Sequence, residues 1–339
     1  MNLTIKYALF CLMACLISCT CFCTPSPKAF NTFQKLISSE RVQQIVQYDP
    51  AIEYIYAKNN EHNQSVTIYF HGWNRDKLSS TRTSLFTTPA IIFNFPDATA
   101  NKAEPWKTMN LAQLPDIMPA LVILHAIAAS DIAESINLVG HSRGGGVVVN
   151  LLAILNHPEK YKKIFQTIGI DESLRKKIIQ MIENGVVVLD CPLKDIYTSI
   201  RQKVRYKRSH ILPAAHTNQQ NFMLKQYLCS AYNTILNSFD HACTFTLQYI
   251  VFPLTTNYRP WREHPSESVK MLDGLKLTTI VRYDDGDFII TNNDDETFYQ
   301  TLKNHNPETT FLITSRKCGH CSSYKPLTDL FFQLINKKF

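Results

Sequence analysis

Charge is scarce in this chain: Asp, Glu, Lys and Arg together make up only 19% of its 339 residues. With 45% of residues hydrophobic and 11% aromatic, that scarcity excludes a disordered polymer, which lacks the apolar surface to collapse. Internal repeats and low-complexity tracts are also missing, which excludes a stacked-repeat array. Acidic residues are the minority, 28 against 35 basic, for a formal charge of +7. An excess of that size fits attraction to anionic surfaces or substrates and makes no case for nucleic acid. What remains is a globular chain, long enough for one large domain or two ordinary ones.

The first residues stand apart. Lys6 is the only charge before an apolar run from Tyr7 to Ser18, and Pro25 and Pro27 follow. A basic start, a compact apolar stretch and a breaker make the pattern of a secretory signal over residues 1–23. The run is too short to span a bilayer, which takes roughly 20 residues. Leu16-Ile17-Ser18-Cys19 also resembles the lipobox of bacterial lipoproteins, in which the cysteine carries the lipid. The expectation is an exported protein, secreted or periplasmic, either free or lipid-anchored at Cys19. Five of the ten cysteines lie in this leader. The other five, Cys191, Cys229, Cys243, Cys318 and Cys321, are odd in number, so at least one is free or pairs elsewhere.

Beyond the leader, residues 28–47 have helical spacing and residues 51–58 alternate as a strand. Further strands are expected at 65–70, 89–95, 135–139, 185–189, 275–283 and 310–314. Between them, 111–129, 146–155, 296–303 and 326–337 read as helices. Short apolar strands alternating with helices imply a mostly parallel, doubly wound α/β sheet. The spacing is regular except for a gap from Cys191 to about Asp273. The expected division is therefore a core over 28–190, a cap or lid insertion over 191–273, and a second core portion over 274–339. An insertion between sheet strands reads as a cap over their carboxyl ends, where open α/β sheets bind ligands. The cap holds a basic stretch, Arg201 to Arg208, that is either a solvated edge or a site for anionic lipid or acidic substrate. It also holds aromatics from Phe222 to Phe252, which could line an acyl pocket or form the cap's own core.

Gly140-His141-Ser142-Arg143-Gly144 matches G-x-S-x-G, with Gly145 and Gly146 following. The pattern has chemical meaning when a strand precedes it and a helix follows, as residues 136–139 and 147–155 supply. A serine on such a strained turn projects its hydroxyl, and a side chain two positions away would strike neighbouring backbone. Here the chain resembles the α/β-hydrolase family, from about Ser65 to the end. The resemblance implies a serine esterase or lipase-like enzyme with Ser142 as nucleophile and no cofactor. It places an oxyanion loop at His71-Gly72-Trp73, so that the backbone N–H groups of Trp73 and Arg143 would hold the developing charge. The family's order of serine, acid, histidine places the acid after strand 275–283, in Asp284-Asp285-Gly286-Asp287. Aligning the hydrophobic pair that follows favours Asp287. Asp284, Asp285 and Asp190, at the end of an earlier strand, stay open. His320, between the last strand and the last helix, is the matching general base.

Cys318-Gly319-His320-Cys321 also looks like the active-site tetrapeptide of disulfide isomerases. Only 18 residues follow Cys321, too few for the strands and helices of a thioredoxin-like domain. Metal binding by these three side chains lacks a second ligand cluster. The leading expectation is hydrolysis of a small-molecule or lipid ester, with peripheral contact at a membrane surface. The rivals are a non-catalytic binding protein of the same fold and a thiol oxidoreductase using Cys318 and Cys321.

Overall fold

The computed structural model describes residues 54–55, 65–72, 90–93, 95, 112–130, 133–195, 197–201, 204–205, 223–251, 264–284, 287, 298–315, 327, 329–331 and 333–334. Among them are seven strands: β1 (Tyr54–Ile55), β2 (Ser65–Phe70), β3 (Ala90–Phe93), β4 (Ser135–His141), β5 (Val187–Asp190), β6 (Thr279–Asp284) and β7 (Thr310–Ser315). They form one sheet in the order β1-β3-β2-β4-β5-β6-β7. Only β1 runs antiparallel to its neighbour. Every other pair is parallel.

Parallel pairing follows from composition. Strands β2, β4, β5 and β6 are buried at every position, because helices cover both faces of the sheet. Side chains of a strand alternate between faces, so each strand feeds two cores. Ile68, Phe70, Ile136, Leu138 and Leu189 join a large cluster with α1 (Leu114–Ser130), α2 (Arg143–Asn156) and α4 (Glu172–Asn184). Their neighbours Tyr69, Val139, Val188 and Ile280 face the other way, onto Leu327 and Phe331. Those two residues lie in the expected closing segment, helical at each described position from 327 to 334. The sheet is doubly wound.

Several boundaries differ from expectation. The helix after Ser142 begins at Arg143, not at Gly146. Three consecutive glycines disfavour a helix by propensity, and the packing of the turn overrides them. Residues 162–184 hold two helices where none was expected, α3 (Lys162–Ile168) and α4. Asp171 caps α4, accepting from the Leu174 N–H at 2.8 Å. Strand β6 starts at Thr279 instead of residue 275, where its ladder to β5 and β7 begins. The predicted helix at 28–47 lies outside the described residues, as does the leader.

Between β5 and β6 lie α5 (Met223–Thr246), continued by a π-helical turn (Leu247–Val251), and α6 (Pro265–Ser268) with a 3-10 turn (Val269–Leu272). Helix α7 (Phe298–His305) precedes β7. The aromatics of 222–252 are expected to line a pocket or to form a core, and the described ones on α5 and its π-helical turn do not form a core. Tyr232, Phe239, Phe245 and Tyr249 are all exposed, because Leu236, Asp240, Thr244 and Gln248 occupy the buried side of the helix.

Candidate active site

Ser142 connects β4 directly to α2, with φ 52° and ψ −115°. A positive φ is costly for any residue bearing a Cβ, by roughly 1–3 kcal/mol, and survives only where the surroundings enforce it. The enforcing contacts are all backbone. The Ser142 N–H donates to the Asp190 carbonyl at 2.8 Å. The Ser142 carbonyl accepts from the N–H groups of Leu193 at 2.8 Å, Gly145 at 3.0 Å and Gly146 at 3.4 Å. The turn is thus tied both to its own helix and to the chain leaving β5. Space is as tight as the motif requires. A Cβ at Gly144 would stand 2.1 Å from the Phe70 carbonyl oxygen, and one at Gly140 would stand 2.6 Å from the Gly144 oxygen. Ser142 keeps 8% of its surface exposed.

Two further non-glycine residues take a positive φ, Cys191 (45°) and Ala112 (69°). Cys191 directly follows the strand that receives the Ser142 N–H. Ala112 packs beside Gly146, and its carbonyl accepts from Asn150 Nδ2 at 2.8 Å. Backbone strain among the described non-glycine residues therefore gathers around the serine.

The Arg143 side chain turns inward, away from the chemistry expected of its backbone. Its Nε and Nη2 grip Asp116 at 2.7–2.9 Å, with both groups buried. Asp116 also accepts from the Ala112 N–H at 2.8 Å. The guanidinium lies 4.5 Å from the centre of the Phe95 ring, and Phe95 lies 4.4 Å from the His71 ring. His71 Nε2 accepts from the Phe95 N–H at 3.2 Å, which leaves the proton on Nδ1 to donate to the Gly72 carbonyl at 2.7 Å. The predicted oxyanion loop is thus tied to the elbow through a buried stack. Trp73 itself lies outside the described residues.

A second buried network was missed in the sequence. Parallel register sets His141 beside Asp190 and Asp190 beside Arg282, at the carboxyl ends of β4, β5 and β6. The Asp190 Oδ2 lies 2.9 Å from His141 Nδ1, and its Oδ1 accepts from Arg282 Nε at 2.6 Å. Burial pushes the Asp190 carboxyl up, but the hydrogen bond and charge of His141, together with Arg282, outweigh it and hold the pKa at about 2. The signal was available: an arginine inside the apolar run Thr279-Ile280-Val281-Arg282 demands a buried anion.

This network bears on the choice of acid. Asp190 has one oxygen on His141 and the other on Arg282, so its carboxylate is already engaged across the strands. Asp284 ends β6, and the Asp287 N–H donates to its carbonyl at 3.0 Å. Asp284 and Asp287 are both buried. Asp285, His320, Cys318 and Cys321 lie outside the described residues. Cys191 and Cys243 are free thiols. No group of His, Cys, Asp and Glu that could hold a metal ion occurs among the described residues.

No protein-family model matches the sequence, and no curated protein matches it. Solved structures resemble it at a distance. The Pyrococcus furiosus esterase Pf2001 aligns with a TM-score of 0.45 at 12% identity, over 81% of this chain and 82% of its own. Est1E from Butyrivibrio proteoclasticus, solved with ferulic acid bound, aligns at 0.47 and 12%, over 85% and 94%. MGS-M2, an α/β hydrolase from a deep-sea metagenome, aligns at 0.43 and 16%, over 84% and 94%. The chain's own strand order, its antiparallel edge strand and its strained serine between a central strand and a helix are those of the α/β-hydrolase fold, and that is the fold of this protein.

Proposed function

We propose that the protein is a serine hydrolase that cleaves carboxylic esters through an acyl-enzyme. The observation that carries this reading is the left-handed backbone of Ser142. Strain of that kind has no packing benefit at a strand-to-helix turn, where glycine would be cheaper. It makes sense where a hydroxyl must stand clear of the sheet end.

In this reading the Ser142 Oγ attacks the ester carbonyl, and His320 takes its proton. The resulting oxyanion is held by the N–H groups of Trp73 and Arg143. His320 then protonates the departing alkoxide, leaving an acyl group on Ser142. A water deprotonated by His320 releases the acid and restores the serine. Asp287 fixes the tautomer of His320 and balances its positive charge. The burial of Asp287 at a turn beyond β6 supports that role, and the double engagement of Asp190 argues against it as the acid. The buried Arg143–Asp116 pair anchors the first turn of α2, which carries one oxyanion donor. We further infer an apolar acyl substrate, lipid or related ester, and export directed by residues 1–23, with Cys19 the residue a lipid anchor would use.

The test is a fluorophosphonate label on the purified protein. Wild type is expected to label at Ser142 and to hydrolyse short p-nitrophenyl esters. Ser142→Ala should abolish labelling and lower kcat/KM by about 10⁴-fold or more. Equal labelling of the two proteins would sink the assignment. Replacing Asp287 by Asn should cost far more activity than stability, whereas Asp190→Asn should reverse that ranking.

A further inference from the structure

The buried row His141–Asp190–Arg282 takes no part in the acyl transfer described above, although His141 directly precedes Ser142 and is only 5% exposed. Strand order explains where its ring lies. Strand β4 runs between β2 and β5, so the residue at its carboxyl end has a neighbour on each side. On one side, register sets His141 beside Asp190. On the other, Gly140 pairs with Phe70, so the chain leaving β2 through His71 and Gly72 passes His141. The imidazole spans that width. Its Nδ1–H donates to Asp190 Oδ2 at 2.9 Å, while the opposite edge of the ring, Cδ2 and Nε2, meets Gly72.

The fit at Gly72 is close. A Cβ there would stand 2.7 Å from His141 Cδ2, 3.2 Å from His141 Nε2 and 3.4 Å from Ser142 Cβ. The first distance is well inside the roughly 3.5–4.0 Å at which carbon atoms pack. Backbone conformation does not call for this glycine. Among the described glycines a left-handed φ occurs at Gly169 and Gly274, not at Gly72. Gly72 lacks a side chain because the imidazole and Ser142 fill the space. The ring in turn is held in place, since Asp190 accepts from its Nδ1 and also from Arg282 Nε at 2.6 Å. Arg282 is wholly buried, which fixes the far end of the row in the sheet. A continuous wall therefore runs from β6 through β5 and β4 to the backbone beside the serine.

We propose that His141 is a positioning residue for the ester reaction: its ring, held by Asp190, sets the separation between the Gly72 backbone and Ser142. The inference rests on Ser142 being the nucleophile. A substrate over Ser142 shares the space beside Gly72, and a misplacement of about 1 Å in such a site costs roughly 10²-fold in rate. His141 exchanges no proton with the substrate in this role.

The test is a double-substitution cycle with p-nitrophenyl esters. Fluorophosphonate titration counts competent sites, so kcat is expressed per labelled serine and partial unfolding does not enter. Gly72→Ala should lower kcat by about 10²-fold with KM little changed. His141→Ala should lower it by a similar factor. The double variant should be no slower than either single one, because the methyl enters the space the ring has left. His141→Asn should recover most of kcat, since its amide can donate to Asp190 and places an atom where Cδ2 stood. A proton-transfer role would leave Asn as slow as Ala. Losses that multiply in the double variant, or equal kcat in His141→Asn and His141→Ala, would overturn the proposal. Should His141→Ala not fold, wild-type kcat in Gly72→Ala or a loss of about 10²-fold in His141→Asn would overturn it as well. Wild type that neither labels nor turns over would refute the nucleophile itself, whereas an active, labelled wild type with multiplying losses would refute only the role of His141.

Discussion

The turn at Ser142 and helix α5 handle polarity in opposite ways. Around Ser142, charged groups are buried and each meets a partner of opposite sign: Arg143 with Asp116, and Asp190 with His141 and Arg282. Along α5 the buried side is polar and the apolar side chains are left outside. The first region is over-determined, with a strained backbone held by four hydrogen bonds to Ser142. The second leaves apolar groups largely outside the fold, where Phe245 and Tyr249 stack on each other with ring centres 4.7 Å apart. Over-determination is what a fixed reacting atom requires, and surplus apolar surface is what a contact with something else requires.

That contrast can be broken by substitution. The largest effect is expected for Asp190→Asn, which leaves His141 and Arg282 facing a neutral group in a dry site. A loss of about 3–5 kcal/mol in urea unfolding is expected, and a loss near zero would mean that water reaches the network. Gly144→Ala comes next, at about 3 kcal/mol or a failure to fold, since the added methyl meets the backbone of Phe70. A stable Gly144→Ala protein would show that the elbow can relax.

Acid provides a third test. The Asp190 carboxyl titrates near 2 when folded, against an ordinary 3.8. A depressed folded pKa contributes stability that is present above the unfolded value and lost as the pH falls from about 4 toward 2. The contribution is about 2–3 kcal/mol. Unfolding free energies measured across that window should fall more steeply for wild type than for Asp190→Asn. The smallest effects sharpen the comparison on α5 itself. Leu236, 6% exposed, should cost about 2 kcal/mol when changed to Ala, whereas Ile235→Ser on the outer face should stay within about 0.5 kcal/mol. Equal losses at the two neighbours, in thermal or urea melts, would mean that the outer face is covered in the folded chain.

Much of the core was legible because it obeys local rules. Continuous apolar strands at 65–70 and 135–139 announced burial on both faces, and the glycines around Ser142 announced close packing. For the helices at 162–184 the local signal is Asp171, which stands as an N-cap before Leu174. The His141–Asp190–Arg282 row was harder, for its members are 49 and 92 residues apart along the chain and meet only through strand register. The outward turn of the α5 aromatics is set by a related cause. Periodicity assigns residues to a face of a helix, but Arg205 and Asp240 decide which face turns inward.

Alternation of short buried strands with helices, and a serine enclosed by glycines, follow from the amino acids alone, because backbone sterics and apolar burial act over a few neighbouring residues. Which carboxylate meets the buried arginine, and which side of α5 meets the outside, were decided in three dimensions. Those outcomes depend on charges that must find partners once water is gone, and only the packed sheet brings the partners within reach.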